Sequence, residues 1–138
     1  EQLSDVADWA GRYGRKLALN MERNGRRVSV WNRTVPGVEE GVAERFVEGR
    51  AAGKQILGFS DLSSLGIFEP TENYYDDGTA GDAVDELIDQ VSPFLAEGMS
   101  VDGGNSDYVD TGRRVTACRA RGLLFVGAGV SGGAEGAL

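Results

Sequence analysis

The chain of 138 residues is 41% hydrophobic and 26% charged, proportions that fit one globular domain with its own core. Its net charge of −8 argues against nucleic acid or an anionic membrane as a bulk partner, although a phosphorylated ligand needs only a local basic spot. One cysteine, no histidine and no long apolar run argue against a disulfide framework, a metal centre and a membrane span, so we expect a cytoplasmic protein.

Strand and helix signals alternate along the chain, which predicts an α/β fold with a mostly parallel sheet. Helices are predicted at residues 15–24, 38–52, 83–95 and 111–120, and strands at residues 27–31, 55–58, 99–101 and 123–126. The helix at 83–95 has a strong apolar stripe, formed by Val84, Leu87, Ile88 and Val91. Cys118 lies in the last predicted helix, where we interpret it as a packing residue and not a nucleophile.

A doubly wound sheet needs two more strands, one before the helix at residue 15 and one before the helix at residue 83. The segments available are residues 3–9 and 72–78, and each places at least two carboxylates where a core strand belongs. Central parallel strands are buried on both faces, and each unpaired buried carboxylate costs several kcal/mol out of a total stability of about 5–15 kcal/mol. We therefore expect that these segments do not form ordinary central strands.

Two short apolar runs stop at glycine clusters that carry small polar side chains. Residues 101–108 read VDGGNSDY, and residues 122–137 read GLLFVGAGVSGGAEGA. Ligands of open parallel sheets bind beyond the carboxyl ends of the strands, where glycine permits close backbone approach and Asn or Ser supplies neutral hydrogen bonds. On pattern alone, the clusters are either two glycine-rich turns or two parts of one ligand site.

Both strings closely resemble 6-phosphogluconate dehydrogenase, as do NRT at residues 32–34 and AGDAVD at residues 80–85. The resemblance covers almost the whole chain and corresponds to roughly the first third of the family's usual length, its cofactor domain. It implies that residues 1–138 form an NADP-binding, Rossmann-like domain with a doubly wound sheet and helices on both faces, without the family's helical C-terminal domain. For the full-length protein it implies a homodimer that oxidatively decarboxylates 6-phosphogluconate to ribulose 5-phosphate in the pentose phosphate pathway.

The resemblance also assigns cofactor contacts in the first half of the chain. The family's dinucleotide turn, approximately GLAVMG, falls on residues 9–14, where Gly11 and Gly14 keep part of the spacing. Asn32, Arg33 and Thr34 align with the residues that select NADP. An arginine at this position suits the 2′-phosphate of NADP, whereas an acidic residue would suit the ribose of NAD.

Further site residues follow from the resemblance in the second half of the chain. Ala80 aligns with a turn beneath the adenosine and ribose, and Asn105 with a residue that touches both nicotinamide and substrate. The turn that binds the sugar phosphate acid aligns with Ser131, Gly132 and Gly133.

The resemblance assigns no catalytic residue to this chain, because the family's proton-transfer lysine and glutamate align beyond Leu138. The lysines Lys16 and Lys54 lie on early elements, and the many carboxylates read as solvated helix faces. We expect the isolated chain to lack dehydrogenase activity. Two alternatives stay open: the cofactor domain of another hydroxyacid dehydrogenase, or a degenerate remnant that binds nothing.

A slip of the reading frame would explain both unsuitable strands. Residues 7–14 can be encoded so that reading one base later gives RIGLAVMG, which restores an apolar strand end and the glycine turn. Residues 71–78 can likewise be encoded so that the shifted frame gives PRIIMMTV, an apolar strand. Genuine divergence is the alternative explanation.

Overall fold

The computed structural model describes residues 5–8, 12–67, 73–76, 81–95, 99–102, 106–128 and 135. Within these residues the strands are β1 (Asp5–Asp8), β2 (Val28–Trp31), β3 (Ile56–Phe59), β4 (Asn73–Asp76), β5 (Met99–Asp102) and β6 (Leu124–Gly127). The helices are α1 (Arg12–Arg23), α2 (Val42–Glu48), α3 (Asp82–Val91) and α4 (Tyr108–Ala120). All the strands pair in parallel in the order β3-β2-β1-β4-β5-β6, which confirms the predicted doubly wound α/β fold.

Strand β2 is buried on both faces and separates two core layers. Because successive side chains of a strand point to opposite faces, Val30 and Trp31 belong to different layers. The layer around Val30 brings α1 and α2 against the sheet through seven buried residues: Ala18, Val28, Val30, Ala43, Phe46, Ala51 and Ile56. On the other face, Trp31 packs with Leu87 and Val91 of α3. Helices therefore cover both faces of the sheet, as predicted.

The apolar stripe predicted for α3 is confirmed, since all four of its residues are buried. Two of them, Val84 and Ile88, share a core cluster with Cys118 of α4 and Phe125 of β6. Cys118 is 1% exposed, and this burial raises the pKa of its thiol. The structure thus confirms Cys118 as a packing residue.

The expectation that residues 3–9 and 72–78 avoid the centre of the sheet is wrong. β1 lies between β2 and β4, with Asp5 opposite Asn73 and Asp8 opposite Asp76. The physical reason is that a parallel ladder is built from backbone groups, which every residue except proline supplies in full. The crossovers through α1 and α3 also require a preceding strand at each of these places.

The boundaries of α2 and α3 differ from those predicted, each because of a backbone constraint. The helix predicted at 38–52 is the shorter α2, which begins only after Gly41, a residue in the left-handed conformation with φ of 56°. Val38 is 78% exposed and lies in the preceding turn. The helix predicted at 83–95 ends as α-helix at Val91, because Pro93 cannot continue it and lies in a short 3₁₀ turn, Ser92–Phe94.

No helix among the described residues combines the length and the apolar character that crossing a membrane requires. The same residues contain no group of three histidine, cysteine, aspartate or glutamate side chains placed to hold a metal ion.

Gly58 marks the closest approach of α2 to the sheet. A Cβ atom there would lie 2.7 Å from the carbonyl carbon and oxygen of Ala43, so Gly58→Ala should destabilise the fold by about 1–3 kcal/mol through overpacking. Gly112 is the matched control, because it lies within α4 with no atom within 4 Å of an added Cβ. Gly112→Ala should stabilise the fold by about 0.5–1 kcal/mol. Denaturant unfolding of both variants checks the prediction, which equal effects of the two substitutions would contradict.

The reading-frame hypothesis stays a prediction, because backbone pairing does not depend on which side chains the strands carry. We expect the coding DNA to show a slip at codons 7–14 and again at codons 71–78, and an unbroken frame through both would exclude it. A chain with RIGLAVMG at 7–14 and PRIIMMTV at 71–78 should have a higher Tm than the present chain. The reason is that apolar residues would replace carboxylates in strands that need burial on both faces.

Candidate functional site

The carboxyl ends of all the described strands meet at one edge of the sheet, because the strands are parallel. The strand order reverses between β1 and β4, and in such sheets the crevice outside this switch point is where ligands bind. The carboxyl ends of β1, β2, β4 and β5 therefore lie around one region. In the chain, these strands are followed by the predicted contacts Gly11, Asn32, Arg33, Thr34, Ala80 and Asn105, and Gly14 lies in the first turn of α1.

The turn between β1 and α1 is short. β1 ends at Asp8 and α1 begins at Arg12, so the amino end of α1 lies at the carboxyl edge beside the switch point. The first turn of α1 contains no acidic residue, and the free N–H groups of a helix amino end attract anions such as phosphate. Gly14 lies in this turn and is buried, which suits its predicted place, whereas Gly11 lies outside the described residues.

Asn32 follows β2 directly and is 2% exposed. Its backbone N–H donates to the carbonyl oxygen of Phe59 (3.3 Å), which extends the pairing of β2 with β3. Its side-chain Nδ2 donates to the carbonyl oxygen of Arg33 (2.7 Å) and to Oε2 of Glu39 (3.4 Å). Its Oδ1 is buried and has no hydrogen-bond partner among the residues that the structure describes. A buried acceptor left unpaired costs about 1–3 kcal/mol, so this oxygen is suited to receive a ligand donor.

Arg33 and Thr34 are exposed beside Asn32. The side chain of Arg33 is 70% exposed, and its Nε lies 3.3 Å from Oε2 of Glu39, which is 28% exposed. Glu39 is held in place by an antiparallel bridge with Val35, so the turn between them carries the carboxylate back to Arg33 and Asn32. Sequence reasoning missed Glu39, because the bridge that returns it to Arg33 has no strand pattern.

Helices α3 and α4 are joined by a partly buried ion pair between the first half of α3 and the middle of α4. Arg114 of α4 is 1% exposed, and its Nε and Nη2 donate to the carboxylate of Asp85 on α3 (3.2 and 3.0 Å). Arg113 donates to the same carboxylate (3.0 and 2.8 Å). Hydrogen bonds from Arg113 and Arg114 hold the pKa of Asp85 well below its usual range. The interpretation of the carboxylates as solvated helix faces is therefore wrong for Asp85, because an arginine 29 positions away is folded against it.

The amino ends of both helices carry local signals that the sequence contains. Gly81 precedes α3 with φ of 85° and ψ of −146°, a conformation that strongly favours glycine. Asp107 caps α4, since its Oδ1 accepts the N–H of Val109 (2.8 Å). This cap explains why α4 begins at Tyr108, before the predicted start at residue 111.

Lys54 lies far from this edge. It precedes β3, at the amino edge of the sheet, and its Nζ pairs with Glu22 at 3.1 Å. The contact lowers the pKa of the Glu22 carboxyl. Lys54 is thus engaged at the edge opposite the candidate site.

The structure brings Gly14, Asn32, Arg33 and Thr34 to the carboxyl edge as described. The other predicted site residues lie outside the described residues: Gly11, Ala80, Asn105, Ser131, Gly132 and Gly133. Gly81 and Ser106, which are described, directly follow Ala80 and Asn105 in the chain.

The sequence matches a family model described as the NAD-binding domain of 6-phosphogluconate dehydrogenase over residues 79–138. Over 127 residues, or 91% of the chain, it is 46% identical to the decarboxylating 6-phosphogluconate dehydrogenase of Treponema pallidum. The corresponding protein of Dictyostelium discoideum is 42% identical over 127 residues. The chain spans only 25% of the length of each of these relatives.

Solved structures show the same fold. Plasmodium falciparum 6-phosphogluconate dehydrogenase, studied with its cofactor NADP⁺ and with its substrate 6-phosphogluconate, matches 97% of this chain with a TM-score of 0.80 and 26% identity. The match covers 28% of that protein. Mycobacterium tuberculosis 3-hydroxyisobutyrate dehydrogenase matches 98% of the chain with a TM-score of 0.74, but at 16% identity it supports the fold alone.

Proposed function

We propose that this chain binds NADP at the carboxyl edge of its sheet. Its match to the NAD-binding part of the 6-phosphogluconate dehydrogenase family supports the proposal. The observation that carries the proposal is the exposed guanidinium of Arg33, which directly follows the buried Asn32 after β2. Arginine pairs with phosphate through a planar fork of donors, and a 2′-phosphate is the group that distinguishes NADP from NAD.

The described residues fit the 2′-phosphorylated ribose of NADP. Arg33 and Thr34 are exposed and offer a cation and a hydroxyl to a phosphate. The unpaired Oδ1 of Asn32 offers an acceptor to a ribose hydroxyl. The amino end of α1, with Gly14 buried in its first turn, would receive the pyrophosphate. Gly11, Ala80 and Asn105 complete the proposed set of cofactor contacts.

When bound, NADP supplies the hydride acceptor, and this chain supplies binding and orientation. We propose that the full-length protein is a cytoplasmic, homodimeric 6-phosphogluconate dehydrogenase that oxidises and decarboxylates 6-phosphogluconate. Asn105, Ser131, Gly132 and Gly133 would contribute to its substrate pocket. The names of the relatives that span the chain at 42–46% identity support this assignment.

Arg33→Glu tests the cofactor proposal. The substitution replaces a cation by an anion where the 2′-phosphate would lie, so the Kd for NADP should rise about 100-fold while the Kd for NAD changes less than about threefold. Isothermal titration calorimetry with both dinucleotides provides the measurement. Arg23→Glu is the control, because it makes the same charge change on an exposed residue at the far end of α1. Equal losses for NADP and NAD, or a wild-type chain that binds neither, would contradict the proposal.

Glu39→Gln should strengthen NADP binding by about two- to fivefold. The Glu39 carboxylate competes with a phosphate for the guanidinium of Arg33, and exposed ion pairs of this kind contribute about 0.2–1 kcal/mol. The gain should shrink at high salt, because salt screens exposed charges. Glu40→Gln is the matched control, since Glu40 accepts the N–H of Gly37 instead. Weaker NADP binding in Glu39→Gln would show that Glu39 orients Arg33 and does not compete for it.

A further inference from the structure

Arg114 is almost completely buried although it carries a full positive charge. A buried charge is costly unless it is paired and its donors are satisfied. Nε and Nη2 bind the two oxygens of the Asp85 carboxylate, the bidentate arrangement that arginine favours. This pairing uses Nε and one N–H of Nη2, so Nη1 and the second N–H of Nη2 can donate to other acceptors.

Two further contacts of Arg114 reach the ends of two different loops. Nη2 donates to the carbonyl oxygen of Gly81 (2.9 Å), and Nη1 donates to Oγ of Ser106 (3.1 Å). Gly81 is the last residue before α3, and Ser106 lies two positions before α4 begins at Tyr108. The residues just before them are Ala80 and Asn105, both proposed cofactor contacts.

β4 and β5 are neighbours in the sheet, so their carboxyl ends lie side by side. Because a guanidinium is a rigid plane, its acceptors are held at fixed positions relative to one another. We infer that Arg114 is a positioning residue, whose guanidinium sets the separation of Gly81 and Ser106, the described residues next in the chain to the proposed cofactor contacts Ala80 and Asn105. The role in cofactor binding rests on the proposed function, whereas the bracing of the loops can be measured without a ligand.

The same pair of helices offers a matched control. Arg121, which directly follows α4, pairs with Asp89 of α3 at 2.6 Å, but the two side chains are 45% and 64% exposed. Its Nη1 also lies 3.4 Å from Oγ of Ser92, at the end of α3 remote from Gly81. Arg121→Lys therefore changes the same residue type between the same helices, away from the loop ends.

Amide hydrogen exchange tests directly whether Arg114 holds Gly81 and Ser106 in place. A lysine keeps the charge but cannot span the three acceptors, so Arg114→Lys should raise exchange about tenfold or more at both residues 81–84 and residues 106–109. Arg121→Lys should leave both segments as in the wild type. Should Arg114→Lys fail to fold, Ser106→Ala keeps the buried ion pair and should raise exchange at residues 106–109 alone. Unchanged exchange at the loop ends in these variants would overturn the inference.

Titration with NADP tests the consequence for binding. The Kd should rise about tenfold in Arg114→Lys and stay at the wild-type value in Arg121→Lys. If Ser106 acts through Arg114, the effect of Ser106→Ala should largely disappear in the Arg114→Lys background, whereas additive effects would overturn that coupling. A wild-type chain that does not bind NADP would refute the proposed function, and the exchange results would still decide whether Arg114 braces the loops.

Discussion

Parallel pairing of the strands is the constraint on which the candidate site depends. It places the carboxyl ends of the six described strands at one edge, and each crossover helix then begins at that same edge. Asn32, Gly81 and Ser106 are far apart in sequence, yet each lies between the end of a strand and the helix that follows it. The repeated topology places these polar groups at the same edge, and the side chains there determine which ligand the edge suits.

Most of the fold could be predicted from side-chain periodicity, because burial alternates with a helical or a strand period. The stripe on α3 is buried as predicted, and β2 is apolar enough to identify at once. Prediction failed where backbone geometry, and not the pattern of side chains, determines where a helix or strand forms. Gly41 delays the start of α2, and the strands β1 and β4 are present despite carboxylates that argued against them. Composition predicts whether burial is favourable, but it does not decide whether a backbone ladder can form.

The sequence could predict the position of residues that directly follow a strand. Arg33 and Thr34 need only follow β2 to lie at the carboxyl edge, and their role in binding stays a prediction. Glu39 and Arg114 escaped prediction because their contacts join separate parts of the chain. Asp85 lies 29 positions from Arg114, and only the packing of α3 against α4 brings the two together.

The acidic composition of the chain is compatible with a phosphorylated cofactor because its arginines at the carboxyl edge differ in burial. Arg114 is buried and paired with Asp85, which also accepts hydrogen bonds from Arg113, so the Arg114 guanidinium is not accessible to an anion. Arg33 is exposed and, among the described residues, pairs with Glu39 at the surface, a contact that contributes little stability. A phosphate can therefore displace the Glu39 contact at low cost, while the buried pair stays intact. Under the proposed roles, the exposed guanidinium of Arg33 attracts the phosphate, whereas the buried guanidinium of Arg114 positions Gly81 and Ser106.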